Sequence, residues 1–183
     1  MTSRFRHHFR PLAVGMWLVV MGTSSYAKGT RDFIAQYLSA GAPDTAFLED
    51  MQQRAVQYFV EQTDPDSGLT RDRAPADGGD SAFPASIAAT GFALTSWCIA
   101  DARGWLPPGE SRQRALRTLK FVAENVAHEH GWLYHFVYVH TGERAWRCEA
   151  STIDTALFLK GALSAREYFD DPEIRKWVDF IYA

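Results

Sequence analysis

Apolar side chains recur at three- and four-residue steps along most of the chain, the spacing that places them on one face of an α-helix. The first such stripe begins at Asp44, has acidic residues in its early turns and ends near Gln62. Two further stripes have the same amphipathic pattern, one opening at Pro107–Glu110 and one capped by Asp171 and Pro172. These three segments are predicted to be helices that each bury one face.

Two other segments, residues 86–102 and 151–169, are apolar on nearly every side. A helix with this pattern is buried on every side. The order along the chain is therefore amphipathic, buried, amphipathic, buried, amphipathic. Paired helices in two concentric layers produce this alternation, so we expect an all-α toroid with the buried helices inside.

The helical rhythm breaks between Gly131 and Trp146, where aromatic and aliphatic residues alternate and His140–Glu143 has the composition of a turn. A short β-hairpin or extended excursion is predicted here. Its aromatic side chains have two interpretations, because they either pack one face onto the core or stack on the C–H faces of sugar rings. The polar and aromatic residues concerned are Trp132, Tyr134, His135, Tyr138 and Trp146.

The start of the chain has the pattern of an export signal. Three arginines precede an apolar run over residues 11–22, which is shorter than the ~20 residues that a membrane-spanning helix needs. Ser25 and Ala27 form a small-x-small cleavage pattern. We expect residues 1–27 to be a cleavable signal peptide, with a retained anchor as the alternative, and residues 28–43 to be a lead-in. The mature protein is then periplasmic or secreted.

Net charge narrows the range of partners. The formal net charge is −3, and it becomes −6 without residues 1–27, because 16 basic and 22 acidic side chains remain. An acidic exported domain is unsuited to nucleic acid or anionic lipid. We expect no nucleic-acid partner and no stable membrane span after signal cleavage, and neutral ligands fit better.

Cysteine and histidine offer little support for a disulfide or a metal site. Cys98 and Cys148 would be able to pair in an oxidising compartment, but Cys98 lies in an apolar run where a lone cysteine behaves as a buried hydrophobe. The segment Asp64–Gly68 resembles a calcium loop whose glycine comes one position early and whose closing Glu is missing. No strict ligand motif connects the four histidines at positions 128, 130, 135 and 140. No metal and no cofactor is predicted.

Two carboxylates, Glu149 and Asp154, flank the predicted start of the second buried helix. A helix start favours negative charge, because its dipole and its free N–H groups face that end. Ser151 with Asp154 three residues later also matches a capping box, in which Asp154 would only satisfy the backbone. The alternative is one catalytic carboxylate and one substrate ligand at a glycosidic bond. The spacing leaves both interpretations open.

A set of linked motifs occurs in matching order from about Asp44 to the end of the chain: Tyr58-Phe59, Gly68-Leu69, Asp72-Arg73, Ser86–Phe92, Tyr134–Phe136, Thr141-Gly142, Ser151–Ala156 and Arg166–Phe169. Together they resemble the bacterial glucoamylase-like family, which includes secreted endo-β-1,2-glucanases and a domain of cyclic β-1,2-glucan synthases. The resemblance implies an (α/α)6 toroid that hydrolyses β-linked glucans, with β-1,2-glucan as the first candidate.

The resemblance also implies which residues face the sugar cleft. Asp154 and Glu149 are the catalytic candidates, and the substrate-binding candidates are Asp72, Arg73, His135 and Trp146. Members of the family are much longer, and five predicted helices cannot close the ring. Residues 44–183 are therefore expected to be the N-terminal part of a truncated toroid.

Two hypotheses follow from these expectations. The chain is part of a secreted glycoside hydrolase that acts on β-linked glucans, or it is a catalytically silent exported domain that binds glucan or assembles with a partner. A nonfunctional truncated product is a third alternative. An incomplete ring would leave inner-helix surface exposed, and self-association through that surface is expected.

Overall fold

The computed structural model describes residues 44–76 and 82–183. The predicted signal peptide (1–27) and lead-in (28–43) lie outside the described residues, so export stays a prediction. Within the described residues, no helix combines the length and the apolar character that a membrane crossing requires.

The described chain is mostly helical. Its helices are α1 (Asp44–Gln62), α2 (Ile87–Arg103), α3 (Glu110–Asn125), α4 (Thr152–Phe169) and α5 (Pro172–Tyr182). Its strands have two residues each and are β1 (Ala85–Ser86), β2 (His128–Glu129), β3 (Trp132–Leu133) and β4 (Phe136–Val137). The prediction of an all-α fold with a short β excursion is confirmed.

Capping side chains explain where the helices begin and end. Ser86 Oγ accepts a hydrogen bond from Ala89 N at the start of α2, and Ser151 Oγ accepts one from Asp154 N at the start of α4. Asp171 caps α5 in the same way. Gly104 ends α2 in the left-handed region with φ of +66°. The predicted helix starts at residues 86 and 151 are therefore the capping residues, and each helix begins one residue later.

The two inner helices, α2 and α4, run in the same direction. Their N-terminal ends meet one extended segment, because Ile87 N donates to His135 O and Ser151 N donates to Leu133 O. Their C-terminal halves meet again where Tyr168 Oη donates to Asp101 Oδ2 at 3.0 Å. The starts of both helices therefore lie at the same end of the fold.

Glycine makes the contact between α2 and α4 close. A Cβ atom built on Gly161 would lie 2.0 Å from Gly91 O, and one on Gly91 would lie 2.5 Å from Phe158 Cα. Neither position has room for a side chain, so the backbones pack directly against each other.

The other helices form an outer layer. Helices α1 and α3 pack against α2, while α5 packs against α3 and α4. Fully buried side chains between the layers include Trp97, Phe158, Leu94, Leu119 and Ile174. This is the two-layer arrangement that the alternation of amphipathic and buried segments predicts.

Helix α4 departs from the predicted burial on every side. Ala156 is exposed, Leu159 and Leu163 are half-buried, and these residues line an open hollow together with Lys160 and Glu167. The helix is buried only on the faces that meet α2 and the outer layer. Self-association through this apolar surface stays a prediction.

Both cysteines are free. Cys98 is buried in α2, where its thiol donates to Leu94 O, and burial raises its pKa to about 12. Cys148 is half-buried and contacts the backbone of Phe136. The structure therefore contains no bridge between the two, and Cys98 behaves as a buried hydrophobe.

Candidate functional site

Four extended segments lie side by side at the N-terminal ends of α2 and α4. They are residues 70–72, 84–86, 134–137 and 144–150, and we call them the strand platform. Each segment is hydrogen-bonded to the next: Asp72 N donates to Pro84 O, β1 pairs antiparallel with β4, and His135 N donates to Glu149 O. Because the platform crosses both inner helix starts, it brings distant parts of the sequence to one surface.

The predicted β excursion supplies half of this platform. Residues 136–145 form a hairpin in which Tyr138 N donates to Glu143 O and Gly142 N donates to Tyr138 O, with the turn where it was predicted. Strand β4 also pairs with β1 in a distant part of the sequence, while β2 and β3 form a separate small hairpin. The sequence pattern predicts neither the pairing of β4 with β1 nor the pairing of β2 with β3.

His135, Glu149 and Asp154 meet at the centre of the platform. His135 Nδ1 lies 3.3 Å from Glu149 Oε1 and 3.2 Å from Asp154 Oδ2. His135 and Glu149 come from neighbouring segments of the platform, and Asp154 comes from the first turn of α4. Three of the six predicted site residues are thus brought into direct contact.

The capping box at the start of α4 is only half formed. Ser151 caps the helix, but its own N–H donates to Leu133 O at 2.9 Å and not to the Asp154 carboxylate. Asp154 is only 6% exposed, and within the described residues its buried Oδ2 receives no hydrogen bond, since the nearby His135 ring is misaligned for one. A buried carboxylate oxygen without a donor is costly. The Asp154 carboxylate therefore does not close the box.

Glu149 is held in its ionised form. Its side chain is exposed, and a hydrogen bond from its own backbone N–H lowers the pKa of the carboxyl, followed by the hydrogen bond with His135. At neutral pH an ionised carboxylate accepts hydrogen bonds or protons and has none to donate. Glu149 therefore suits the role of a base or an acceptor.

Trp146 has a backbone conformation that is rare for its residue type. Its φ is +55°, in the left-handed region that costs an L-residue roughly 1–2 kcal/mol. Its side chain is 57% exposed and meets the ring of Phe136 edge-on at 5.2 Å. The centroid of the Phe136 ring in turn lies 3.9 Å from the centroid of the His135 ring. A row of rings thus connects an exposed tryptophan to the carboxylate cluster.

The aromatic side chains of the excursion do not form its core face. Leu133, Val137 and Val139 are the buried residues there, while Trp132 and Tyr138 are about half exposed. Of the two interpretations of this segment, packing onto the core applies to the aliphatic residues. The large rings face solvent, where a sugar would be able to stack on them.

Asp72 and Arg73 lie on the outermost segment of the platform. Arg73 Nε donates to Asp72 Oδ2 at 2.6 Å, and the Arg73 guanidinium lies over the ring of Phe83. Within the described residues, Asp72 makes no recorded contact with the cluster around His135. The pair therefore lies at the edge of the strand platform, two segments away from the segment that contains His135.

Arg144 is a site residue that the sequence analysis did not identify. Its guanidinium lies over the ring of Tyr134 at 4.6 Å, it donates to Cys148 O, and its charge contributes to the lowered pKa of Glu149. The only sequence signal is its place in the hairpin two residues before Trp146.

The calcium-like loop, Asp64–Gly68, is a turn organised by the carboxylate of Asp64. Asp64 Oδ1 accepts hydrogen bonds from Asp66 N and Ser67 N, so its carboxylate forms a turn. Asp64 Oδ2 lies 3.2 Å from His140 Nδ1. Across residues 44–76 and 82–183, no group of three or more His, Cys, Asp or Glu is arranged to hold a metal ion.

Comparison with known proteins connects this site to carbohydrate-active enzymes. The chain is 28% identical over 149 residues to an exo β-1,2-glucooligosaccharide sophorohydrolase of Parabacteroides distasonis, an alignment that covers 76% of this chain and 20% of that protein. No family model matches the chain.

Solved structures share the fold. A glucoamylase-like protein of Bacteroides uniformis matches 77% of this chain and 35% of its own, with a TM-score of 0.67 and 24% identity. An endo-β-1,2-glucanase of Chitinophaga pinensis, solved with sophorotriose and glucose, matches 77% of this chain and 36% of its own, with a TM-score of 0.67 and 20% identity.

The chain spans about a fifth of the length of the curated relative and about a third of the two solved chains. Within that span, its helices have the arrangement of part of an α/α toroid. The comparisons thus confirm, over about three quarters of this chain, its resemblance to the glucoamylase-like family that includes β-1,2-glucanases.

Proposed function

We propose that this chain forms part of the glucan-binding cleft of a glycoside hydrolase that acts on β-linked glucans, with β-1,2-glucan as the substrate. The observation that carries the proposal is the buried Asp154 Oδ2, which has no hydrogen-bond donor within the described residues. A sugar hydroxyl is a neutral donor that satisfies this oxygen once a bound ligand has moved the side chains that cover it. The names of the relatives support a β-1,2-linked substrate.

The surroundings of Asp154 suit a neutral sugar. Glu149 is an ionised acceptor close by, and His135 lies between the two carboxylates. Trp146 offers an exposed ring face at the edge of the same cluster. Acceptors for hydroxyl groups beside an aromatic surface match the two faces of a glucose ring.

The distance between the two carboxylates bears on how they work. Because Glu149 Oε1 and Asp154 Oδ2 both lie close to His135 Nδ1, they are no more than about 6.5 Å apart. Inverting glycosidases separate their two carboxyl groups by roughly 6.5–9.5 Å, to leave room for a water molecule. The upper limit on the distance between these two oxygens lies at the lower edge of that range. In this proposal Asp154 contacts the sugar at the reaction centre and Glu149 acts as its ionised neighbour.

Glucan binding without hydrolysis is the second candidate function. It is favoured by the position of one histidine nitrogen between both carboxylates, which makes them a single unit and not two independent acids. A binding domain needs only the acceptors and the aromatic surface.

Titration with β-1,2-glucooligosaccharides tests the proposal, with tryptophan fluorescence to measure binding and released reducing ends to measure hydrolysis. We expect Asp154→Asn to lower hydrolysis at least a hundredfold and Trp146→Ala to weaken binding about fivefold, since a lost stacking contact costs about 1 kcal/mol. Phe180→Ala is the matched control, because Phe180 is a similarly exposed aromatic residue on the outer helix α5.

The outcomes separate the candidate functions. Binding that is lost in Trp146→Ala, together with hydrolysis that is lost in Asp154→Asn, supports the hydrolase. Binding without any reducing-end release supports the silent domain. If the unaltered chain shows no saturable binding of any β-glucan, both candidates are wrong.

A further inference from the structure

The protonation of His135 is constrained by its neighbours. Its Nδ1 faces two carboxylate oxygens, Glu149 Oε1 at 3.3 Å and Asp154 Oδ2 at 3.2 Å. Ionised carboxylates only accept hydrogen bonds, and a neutral imidazole has one donor nitrogen and one acceptor nitrogen. A lone pair on Nδ1 would point at negative charge, so the proton belongs on Nδ1. In the neutral ring the second nitrogen is then the acceptor.

We propose that the proton of His135 stays on Nδ1, so that Nε2 faces the cleft as an acceptor for a sugar hydroxyl. The part that concerns the sugar rests on the proposed function. Nε2 is not fully buried, and it makes no hydrogen bond within the described residues. The imidazole is about one-third exposed. A ligand is therefore able to reach this nitrogen.

The backbone holds the ring in this orientation. His135 N donates to Glu149 O at 3.0 Å, and His135 O accepts from Ile87 N at 3.2 Å, so both sides of the residue are paired within the platform. The imidazole ring also packs against the ring of Phe136, with 3.9 Å between the two ring centroids. The charged groups that face the cluster are Glu149 and Asp154, with Arg144 close to Glu149. The orientation is set before a ligand arrives.

One nitrogen proton cannot satisfy both carboxylates at once. Nδ1 is aligned for a hydrogen bond to Glu149, which leaves Asp154 Oδ2 without a donor. Asp154 Oδ2 and His135 Nε2 are then two acceptors in one cluster. Such a cluster selects a ligand that donates hydrogen bonds, so it favours a neutral polyhydroxyl compound over a sugar acid.

His128 provides an internal comparison with the opposite protonation. Gly131 N donates to His128 Nδ1 at 3.3 Å, so that nitrogen carries a lone pair. A neutral His128 must then carry its proton on Nε2. The same chain should therefore contain both tautomers, His135 with a proton on Nδ1 and His128 with a proton on Nε2.

Long-range proton–nitrogen NMR of the 15N-labelled full chain tests the tautomers at about pH 8, where ordinary histidines are neutral. His135→Asn and His128→Asn spectra assign the signals. We expect His135 to have its protonated nitrogen at Nδ1 and His128 to have it at Nε2. A His135 ring protonated on Nε2, or one that averages both tautomers, overturns the inference.

A second measurement tests the acceptor role. Asparagine can place a side-chain N–H near the position of Nδ1 but has no group at the position of Nε2. We therefore expect His135→Asn to unfold at the temperature of the unaltered chain and to bind β-1,2-glucooligosaccharide about tenfold more weakly, the effect of one lost hydrogen bond. His128→Asn is the matched control and should bind normally.

The two proposals fail differently. If the glucan binds but leaves the Nε2 signal of His135 unmoved, and His135→Asn binds as tightly as the unaltered chain, this inference is wrong and the proposed function stands. If no glucan binds, the proposed function is wrong, and the acceptor role toward sugar is wrong with it. The tautomer spectrum still decides the protonation of His135 in that case.

Discussion

Replacement of Gly161 by alanine should destabilise the inner layer strongly. The new Cβ would lie 2.0 Å from Gly91 O, so α2 and α4 would have to move apart by roughly 1 Å to restore a normal contact. Overpacking of a rigid core costs about 1–3 kcal/mol and sometimes more, and here the obstacle is backbone that no rotamer change relieves. Alanine regains about 1 kcal/mol of helix propensity. Because backbone blocks the new Cβ, the overpacking cost should lie at or above the top of that range, about 3–5 kcal/mol, so the net loss should be about 2–4 kcal/mol.

Urea unfolding followed by tryptophan fluorescence measures this loss, and far-UV circular dichroism gives the melting temperature. A loss of about 3 kcal/mol should lower Tm by roughly 10 °C in a domain of this size. Gly91→Ala should behave similarly, because its Cβ would lie 2.6 Å from Leu157 O. Lys160→Ala, at an exposed position of α4, is the control and should stay within about 0.5 kcal/mol. A Gly161→Ala chain as stable as this control would refute the close contact of the two helices.

The remaining predictions concern acid stability and thiol reactivity. Burial raises the pKa of Asp64, but hydrogen bonds from Ser67 and Asp66 and the nearby His140 outweigh burial, so the net pKa is lowered. Asp64 therefore stabilises the fold above its unfolded pKa of about 3.9. This stabilisation is lost as the pH falls through the lower pKa of the folded state. Asp64→Asn should cost about 1 kcal/mol in urea unfolding at pH 7 and less near pH 2, and an equal cost at both values would contradict this assignment. A thiol reagent at about pH 8 should label Cys148 before Cys98, because burial raises the pKa of the Cys98 thiol to about 12. Equal labelling rates of the two thiols in the folded chain would contradict the burial of Cys98.

Local sequence signals were sufficient for the helices and their ends. The apolar stripe over Asp44–Gln62 predicted α1 with both of its bounds, and Ser86 and Ser151 marked the starts of the inner helices to within one residue. Capping and periodicity act between residues that are close in the chain. Such signals are therefore visible without a structure.

The motif Ser151–Asp154 shows where this kind of inference ends. The spacing permits a capping box or a site carboxylate, and nothing within the motif chooses between them. The choice depends on Leu133, which lies in the β excursion and takes the Ser151 N–H as its hydrogen-bond donor. That pairing leaves the Asp154 carboxylate without the Ser151 N–H, so a distant residue decides whether the box closes.

The sequence by itself determined the helical class, the order of amphipathic and buried helices, and the residue types of the candidate site, because each of these follows from local pattern. Only the tertiary structure decided that β4 pairs with β1 and that His135 contacts both Glu149 and Asp154. These contacts join segments up to about fifty residues apart, and strand pairing over such separations depends on packing and register that one segment does not encode.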